Sequence, residues 1–436
     1  MTTQPSRRLQ RGRLGCTRRE FLQSSGAWLG CLPLLLEDVD LSGRVDSRDV
    51  RLVRAALRDG RYSAELDVNQ DGQLDQADLE QVRSRRGERV VRYAAHYYPW
   101  WGNRLQPPYH WGEGISYRPA RGFYDTSAFR LAYDQIQSAC RYGLDTFLVE
   151  WIGPASDFGR SNPARSVELA LQQGFLPALE AAGGAARFAI LYDSAIIFRR
   201  EFGFQPDRFD FDRPAARDRL VSDLIYLGER YFGHPQYLHL DGRPLVYLYL
   251  TRSFRGDYAA AFDRIQAHFG GRIFLLGDEV WLGGETDLSR SGCLDAVTAY
   301  HLYRPDLLEP LGFAYGAYTD LAESIYRSWR RALEPLRHRT SGQPVRLVPS
   351  VIPDFNDFGL LDRSGRERNR PLLFGANPAA EFGQQIERMK RWVDPKLALM
   401  VVTSYNEFHE GTTVEETVEY GFSRLIALAA HKAFNR

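Results

Sequence analysis

The sequence predicts an α/β protein, a (β/α)8 barrel preceded by a small all-α calcium module. Across residues 88–436, eight apolar runs alternate with helical stretches such as TSAFRLAYDQIQSACRYG, an order typical of a parallel sheet with helices outside it. The predicted strands are VVRYAAHYY (90–98), LDTFLVEW (144–151), RFAILYD (187–193), PLVYLYL (244–250), RIFLLGD (272–278), LDAVTAYH (294–301), VRLVPSVIP (345–353) and LALMVVTSY (397–405). An open doubly wound sheet is the alternative. No glycine-rich phosphate loop follows the first strand, which argues against that alternative and against a nucleotide-dependent enzyme.

Composition excludes several classes of protein. The 436 residues are 44% hydrophobic and 25% charged, enough for an ordinary globular core. The formal net charge of +1 argues against a nucleic-acid partner or an anionic membrane surface. Two of the four cysteines, Cys16 and Cys31, lie in the leader, so Cys140 and Cys293 leave at most one disulfide, and no CxxC spacing indicates zinc.

Residues 1–36 are predicted to be an export signal. A basic start is followed by TRREFL at 17–22 and then by the apolar run SSGAWLGCLPLLL. This order resembles the twin-arginine signal, in which a receptor reads paired arginines ahead of an apolar segment. The run is about 13 residues long, too short for a comfortable membrane span. We therefore expect export to the periplasm or the extracellular space, with no membrane span.

Residues 37–87 contain a repeated calcium-loop pattern. Segments 38–49 and 67–78 each place oxygen-bearing side chains at positions 1, 3, 5 and 12 of a twelve-residue loop, glycine at position 6 and a backbone carbonyl at position 7. Helix-like stretches follow each loop, so the pattern resembles a dockerin type I module. The resemblance implies structural calcium and either a cohesin-like partner or a calcium-stapled spacer. The predicted ligands are Asp38, Asp40, Ser42, Arg44, Asp49, Asp67, Asn69, Asp71, Gln73 and Asp78.

The end of the last predicted strand is the strongest candidate for catalysis. The buried run LALMVV (397–402) leads into Asn406, Glu407, His409 and Glu410. In a barrel, active residues gather at the carboxyl ends of the strands. Two glutamates three positions apart can share a cavity there, and proximity separates their pKa values, as glycoside hydrolysis requires.

Other strand ends also bear acids, histidines or rings, including Glu150, Asp193 and Asp354. Together they predict an aromatic-lined cleft that binds carbohydrate. The predicted substrate-binding residues are Tyr97, Tyr98, Trp100, Trp101, His110, Trp111, Trp151, Tyr249, Asp278, Glu279, His301, Asn406 and His409.

Four motifs resemble glycoside hydrolase family 99, the endo-α-mannosidase family: YYPWWGN (97–103), HW (110–111), PLVYLYL (244–250) and TSYNEFHEGTTVEE (403–416). The resemblance implies a retaining mechanism that needs no cofactor. Glu410 would act as general acid and then base, and Glu407 would deprotonate the sugar 2-hydroxyl, which attacks the anomeric carbon. Phe408 stands where the family has tryptophan, which leaves the substrate open. A glycosyl-transferring relative and a non-catalytic carbohydrate-binding protein are the alternatives.

Overall fold

The computed structural model describes residues 39, 45–60, 62, 66, 68, 73–84, 89–102, 111, 114–156, 163–183, 186–205, 207–279, 288–357 and 370–434. Contacts divide the chain into two compact units, Met1–Arg89 and Val90–Arg436. The predicted export signal lies outside the described residues. Among the helices that are described, none is long and apolar enough to cross a membrane.

The first unit contains two helices that begin in the same way. Helix α1 is Ser47–Asp59 and helix α2 is Gln76–Ser84. The Asp46 carboxylate caps α1 by accepting from Arg48 N at 2.6 Å, and the Asp46 N–H donates to Asp49 at 2.7 Å. Asp75 accepts from Ala77 N at 2.7 Å and donates to Asp78 at 2.8 Å. The repeated sequence pattern thus corresponds to the same hydrogen-bonded cap at the start of both helices.

The second unit is built on a parallel sheet whose strands agree with all eight predicted ones. Its order is β11-β10-β9-β7-β4-β3-β2-β13-β12, with β6 antiparallel to β7 at its margin. The strands of this unit and its boundary are β1 Arg89–Val90, β2 Arg92–Tyr97, β3 Thr146–Trp151, β4 Arg187–Tyr192, β5 Phe209–Asp210, β6 His239–Leu240, β7 Arg243–Leu248, β8 Phe254–Arg255, β9 Phe274–Asp278, β10 Ala296–Thr298, β11 Arg346–Leu347, β12 Ser350–Val351, β13 Leu399–Val402 and β14 Ala433–Phe434.

The two ends of the sheet belong to one interrupted strand, which closes the barrel. β11 pairs with β10, and β12, three residues further along the chain, pairs with β13. Between them Val348 N donates to Val297 O and Pro349 O accepts from Val401 N, both at 2.9 Å. Proline has no N–H for a ladder, so the strand changes partners at Pro349. The predicted (β/α)8 barrel is confirmed.

Helices cover the outside of this barrel. In the helix Phe129–Arg141, Ala132, Ile136 and Ala139 recur at helical spacing and are fully buried against the sheet. A π-helical segment, Ala170–Phe175, joins two of the helices. The helices are α3 Phe129–Arg141, α4 Pro163–Leu169, α5 Leu176–Ala182, α6 Ser194–Phe202, α7 Pro214–Tyr231, α8 Tyr258–Phe269, α9 Pro305–Leu308, α10 Tyr315–Leu333, α11 Pro378–Lys390 and α12 Ser423–Ala430.

Candidate active site

The strand register decides which side chains point into the barrel. Tyr97 pairs with Val149, and Glu150 pairs with Leu191, so Tyr98 and Glu150 lie on the face opposite to Tyr97. Alternate residues of a strand point to opposite faces. The inward face at the carboxyl ends therefore presents Tyr98 and Glu150, which meet the loop after β13.

Glu407 and Glu410 lie in that loop (residues 403–416), here called the catalytic loop because it contains the two predicted catalytic residues. Glu407 is buried, and its Oε1 accepts from the His409 N–H at 2.8 Å and lies 3.2 Å from His409 Nδ1. Glu410 is half-buried, and its Oε2 accepts from the Tyr300 hydroxyl at 2.7 Å. Burial first, and then the charge of Glu410, raises the pKa of Tyr300, with Glu407 contributing in the same sense. The charges of both glutamates thus disfavour ionisation of the same group, the Tyr300 hydroxyl.

Tyrosines join the two glutamates to the sheet. The Tyr98 hydroxyl donates to the Tyr300 hydroxyl at 3.1 Å. Burial, followed by the charges of Glu407, Glu150 and Glu410, raises the pKa of Tyr98. Tyr249 lies edge-on to Tyr300, with ring centroids 5.2 Å apart. These neutral hydroxyls can donate hydrogen bonds to carboxylates and to sugar oxygens alike.

Two paired hydrogen bonds fix the start of the catalytic loop. The Asn406 side chain accepts from Tyr98 N at 2.7 Å and donates to Tyr98 O at 3.0 Å. On the other side of the loop, Asn356 N donates to Glu410 O at 2.6 Å. Gly411 has φ of +66°, and an added Cβ would lie 2.9 Å from the Tyr117 ring. The turn that follows the second glutamate therefore requires glycine.

Glu150 supplies a third carboxyl group at the end of β3. It is fully buried, and among the described residues neither of its oxygens has a hydrogen-bond partner of good geometry. Burial raises its pKa well above the usual range, and the carboxyl groups of Asp193 and Glu407 raise it further. Burial also raises the pKa of Asp193. Like charges in a dry site favour the protonated form of Glu150, which can donate a hydrogen bond.

A stack of aromatic rings borders the catalytic loop. Trp101 and Trp111 stack with centroids 4.3 Å apart, and Trp101 lies 4.7 Å from the His409 ring. The Trp101 indole N–H donates to Asn406 O at 2.8 Å, which attaches the stack to the loop. Phe408, which replaces the expected tryptophan, is fully buried and packs edge-on against Trp101 at 5.5 Å. We call Trp101 and Trp111 the aromatic wall.

Gly102 makes the close approach of this wall possible. It has φ of +62°, and an added Cβ would lie 1.8 Å from Tyr124 O. Tyr124 O in turn accepts from the Trp111 indole N–H at 2.6 Å. Trp100, half-buried, stacks on Tyr98 at 4.5 Å. The predicted residue His110 lies outside the described residues.

Asp278 and Glu279, predicted to contact substrate, form ion pairs instead. Asp278 is fully buried and accepts from Arg252 at 2.5 Å and from Tyr300 N at 2.8 Å. Glu279, also fully buried, accepts three hydrogen bonds from Arg290, the shortest of them 2.6 Å from Nη2. A carboxylate already bonded to a guanidinium has less capacity left for a ligand. The geometry therefore favours a supporting role for both acids.

Tyr97 and Trp151 are not brought to the site. The Tyr97 ring lies between sheet and helices, where its hydroxyl donates to Gln135 at 2.8 Å. Trp151 stacks on Tyr226 at 5.9 Å and is fully buried there. Both have the outward parity of their strands, so the structure corrects these two predictions.

His301 lies at the margin of the site, half-buried and 5.3 Å from Tyr300. Burial lowers its pKa to about 3, and Arg252 adds to the shift. His96, one step before the predicted residues, stacks on Tyr300 at 5.1 Å, and burial lowers its pKa to about 3. Both imidazoles are therefore neutral near pH 7.

Sequence reasoning assigned no role to Glu150, His96 or Tyr300, although it noted acids at strand ends. Each is adjacent in the sequence to a residue that was predicted to bind substrate. The one available signal was their position at strand ends with the parity of Tyr98. The predicted pair Glu407 and Glu410, with Tyr98, Tyr249, Asn406, His409 and the aromatic wall, does come together.

The predicted calcium ligands are described only in part. Asp49 and Asp78, at position 12 of the two loops, are fully buried and accept from the position-9 N–H of the same loop. Gln73 is also described. The other predicted ligands, Asp38, Asp40, Ser42, Arg44, Asp67, Asn69 and Asp71, lie outside the described residues. The matching acids at the ends of both loops fit the oxygen-rich shell that calcium prefers.

A cavity of about 590 Å³ lies at the opposite end of the barrel, where β11 and β13 begin. Its lining includes Arg330, Arg346 and Trp392, with the Arg330 guanidinium 4.5 Å above the Trp392 ring. None of the residues of the candidate site lines it. In barrel enzymes the amino-terminal face serves stability, so we assign the chemistry to the carboxyl ends.

Comparisons with known proteins agree with this architecture. Residues 36–85 match the Dockerin type I domain. The fold is similar to the GH99 endo-alpha-mannosidase from Bacteroides thetaiotaomicron, with 18% identity, a TM-score of 0.51, and coverage of 78% of this chain and 95% of that one. A second structure of that enzyme gives 17% identity, a TM-score of 0.50 and coverage of 78% and 95%.

A further structure, described as a glycoside hydrolase-like protein, has 16% identity and a TM-score of 0.54, with coverage of 79% and 95%. No curated protein sequence matches this chain. At these identities the likeness shows the fold, a barrel of the kind found in glycoside hydrolases. The residues of the site must supply the argument for function.

Proposed function

We propose that the chain is an exported retaining endo-glycosidase that cleaves an α-linked, mannan-like polysaccharide or glycan. The observation that supports this most is the joint placement of Glu407 and Glu410 around the Tyr98 and Tyr300 hydroxyls. The barrel fold, the aromatic wall and the likeness to endo-alpha-mannosidase structures support the same class of reaction.

In the proposed first step, Glu410 donates a proton to the glycosidic oxygen, and the bond from that oxygen to C1 breaks. Glu407 removes the proton from the 2-hydroxyl, whose oxygen attacks C1 and gives a 1,2-anhydro sugar. In the second step water adds to C1, Glu410 accepts the proton of the water, and Glu407 returns its proton to O2. Both carboxyl groups return to their starting states, and two inversions at C1 give net retention.

The environments of the two glutamates suit these roles. Glu407 is buried and its Oε1 is held by His409 N, so it is oriented as a fixed base. Glu410 is half-buried and accepts a hydrogen bond from the neutral Tyr300 hydroxyl. This hydroxyl can reorient when Glu410 gains or loses a proton. The Glu150 carboxyl, whose protonated form is favoured by burial and by the charge of Glu407, can donate to a sugar hydroxyl.

This mechanism sets a stereochemical requirement on the substrate. The attacking O2 must lie on the ring face opposite to the leaving oxygen. In an α-mannoside O1 and O2 lie on opposite faces, whereas in a β-mannoside and an α-glucoside they lie on the same face. The chemistry therefore favours α-mannosidic linkages among these three.

The test is hydrolysis of a panel of α-mannan, β-mannan and α-glucan oligosaccharides by the purified full chain. We expect cleavage of internal α-mannosidic bonds, with the α-anomer released first in NMR spectra, and no cleavage of a 2-deoxy analogue. Longer products from a donor sugar would instead indicate a transferase. Binding of α-mannan oligosaccharides with no cleavage of any substrate would indicate a carbohydrate-binding protein.

The first unit is proposed to be a calcium-stapled dockerin that attaches the enzyme to a cohesin-like partner. The match over residues 36–85 and the repeated Asp46/Asp49 and Asp75/Asp78 caps support this assignment. Calcium would stabilise only the folded unit. Calorimetry of the full chain should show one transition that EGTA lowers and a barrel transition that it leaves unchanged. A single transition insensitive to EGTA would contradict the calcium assignment.

A further inference from the structure

Glu415 lies near the end of the catalytic loop and makes its own set of contacts, separate from those of Glu407 and Glu410. It is buried, and its carboxylate accepts two side-chain hydrogen bonds. The Tyr124 hydroxyl donates to Oε2 at 2.6 Å, and Gln135 Nε2 donates to Oε1 at 2.9 Å. Gln135 comes from α3, whereas Tyr124 comes from the segment before that helix. Glu415 therefore fastens the loop to two parts of the chain outside it.

Tyr124 continues this connection to the aromatic wall. Its carbonyl oxygen accepts from the Trp111 indole N–H at 2.6 Å, and its ring lies edge-on to Trp111 at 4.9 Å. Trp111 stacks on Trp101, whose indole N–H donates to Asn406 O at 2.8 Å. Asn406 is again in the catalytic loop. Together with the loop, these contacts form a closed circuit. It runs from Glu415 through Tyr124 and the aromatic wall to Asn406, which is next to Glu407 in the sequence.

We propose that Glu415 is a positioning residue, which fixes the position of the catalytic loop relative to the aromatic wall. The proposal rests on the proposed function, because it assumes that the catalytic loop and the aromatic wall together form a hydrolytic site. Glu407 and Glu410 lie between the two points at which the circuit meets the loop. A shift at either point would move the acid and the base relative to a sugar bound at the wall.

Both side-chain oxygens of residue 415 must act as acceptors if these two hydrogen bonds are to form. Both Tyr124 and Gln135 donate, and Gln135 Oε1 is already occupied as the acceptor of the Tyr97 hydroxyl at 2.8 Å. A glutamine at this position would accept one bond and turn its N–H2 toward Tyr124. The change Glu415→Gln keeps the shape of the side chain but weakens the link.

The experiment compares Glu415→Gln, Tyr124→Phe and the double variant by steady-state hydrolysis of an α-mannan oligosaccharide. Each single change should lower kcat about tenfold with KM within about threefold, because a misplaced acid slows chemistry more than it weakens binding. Since both changes break the same link, the double variant should be no slower than the slower single variant.

A matched pair of residues elsewhere in the barrel provides the control. The Tyr192 hydroxyl donates to the buried Asp223 carboxylate at 2.9 Å, away from the catalytic loop. Tyr192→Phe and Asp223→Asn should leave kcat within about twofold, at a similar loss of melting temperature. Equal losses of kcat in the control pair, or additive losses in the double variant, would overturn the proposal.

Acrylamide quenching of tryptophan fluorescence separates this proposal from the proposed function. Glu415→Gln and Tyr124→Phe should each increase quenching, because the backbone carbonyl of residue 124 that holds Trp111 is fixed less firmly once the 124–415 hydrogen bond is weakened. The double variant should add nothing. If the wild type cleaves no glycan, the proposed function fails, but the quenching pattern still decides whether the link exists. Unchanged quenching in both single variants would refute the link itself.

Discussion

Two pairs of acids lie at strand ends of the same barrel, and their partners differ. Asp278 and Glu279 after β9 bond to the guanidinium groups of Arg252 and Arg290. Glu410 accepts from a tyrosine hydroxyl, and Glu407 accepts from the backbone N–H of His409.

The difference separates ion-paired acids from the proposed catalytic ones. A guanidinium favours the ionised carboxylate, since protonation would leave a buried positive charge unpaired, although burial still raises the pKa of Asp278 above its usual value. A neutral hydroxyl or backbone N–H orients a carboxylate without that penalty, so the group can exchange a proton during a reaction. The partners therefore distinguish these two pairs of acids.

The largest expected effect comes from removing the proposed acid. Glu410→Gln should lower kcat about 10³-fold or more, because general acid catalysis supplies factors of about 10² to 10⁴ and the same group serves both steps. Binding of an α-mannan oligosaccharide should persist within about threefold. Steady-state kinetics and calorimetric titration measure the two quantities, with Glu229→Gln on the exposed side of α7 as the matched control. Retained hydrolysis would remove Glu410 from the mechanism.

The ion-paired acids should respond in stability. Asp278→Asn leaves Arg252 without its counter-charge and should reduce the free energy of unfolding by about 3 kcal/mol. Urea unfolding followed by circular dichroism measures this change. Asp218→Asn, which breaks the exposed pair of Asp218 with Arg264, should leave the midpoint unchanged. If Asp278→Asn kept full stability, the contrast between the two pairs of acids would fail.

Sequence patterns predicted the barrel and the catalytic loop well because both depend on local runs. Eight apolar segments are enough to place eight strands, and the glutamates follow the last strand directly. Strand parity was not readable, since inward and outward faces of a parallel barrel strand are both apolar. In VVRYAAHYY nothing in the pattern separates inward Tyr98 from outward Tyr97. The choice of Tyr97 and Trp151, and the neglect of Glu150, follow from that ambiguity.

The partners of the acids were also beyond local patterns. Asp278 is paired by Arg252, which follows the neighbouring strand β7, and Tyr300 comes from the strand on the other side. Such pairs depend on which strands are neighbours and on the loops between them. The same holds for Glu415, whose partners Tyr124 and Gln135 lie about 290 and 280 residues away in the chain.

Two buried acids, Glu415 and Asp354, should also make stability depend on pH. Burial raises the pKa of Glu415 from 4.5 to about 7 and that of Asp354 from 3.8 to about 6. A carboxyl with a raised folded-state pKa stabilises the fold when protonated. This contribution is complete below the unfolded-state pKa and is lost as pH rises through the folded-state pKa.

For Glu415 the window runs from about pH 4.5 to about pH 7, with roughly 3 kcal/mol lost across it. Urea unfolding at pH 5 and pH 8 should therefore show a smaller decline in Glu415→Gln than in the wild type. The difference between the two proteins isolates Glu415 from Asp354, Glu150 and Asp193. Parallel pH curves would show that Glu415 does not titrate in this range.

The smallest expected effect tests the third carboxyl group. If Glu150 is neutral, Glu150→Gln replaces one neutral donor by another, and kcat/KM should fall less than about tenfold. Glu150→Asp keeps the acid but retracts it from Glu407, and it should cost more than the glutamine does. Hydrolysis rates for both variants give the comparison. A loss with glutamine as large as that of Glu410→Gln would mean that Glu150 works as a carboxylate. Glu150 would then belong with the proposed catalytic acids Glu407 and Glu410.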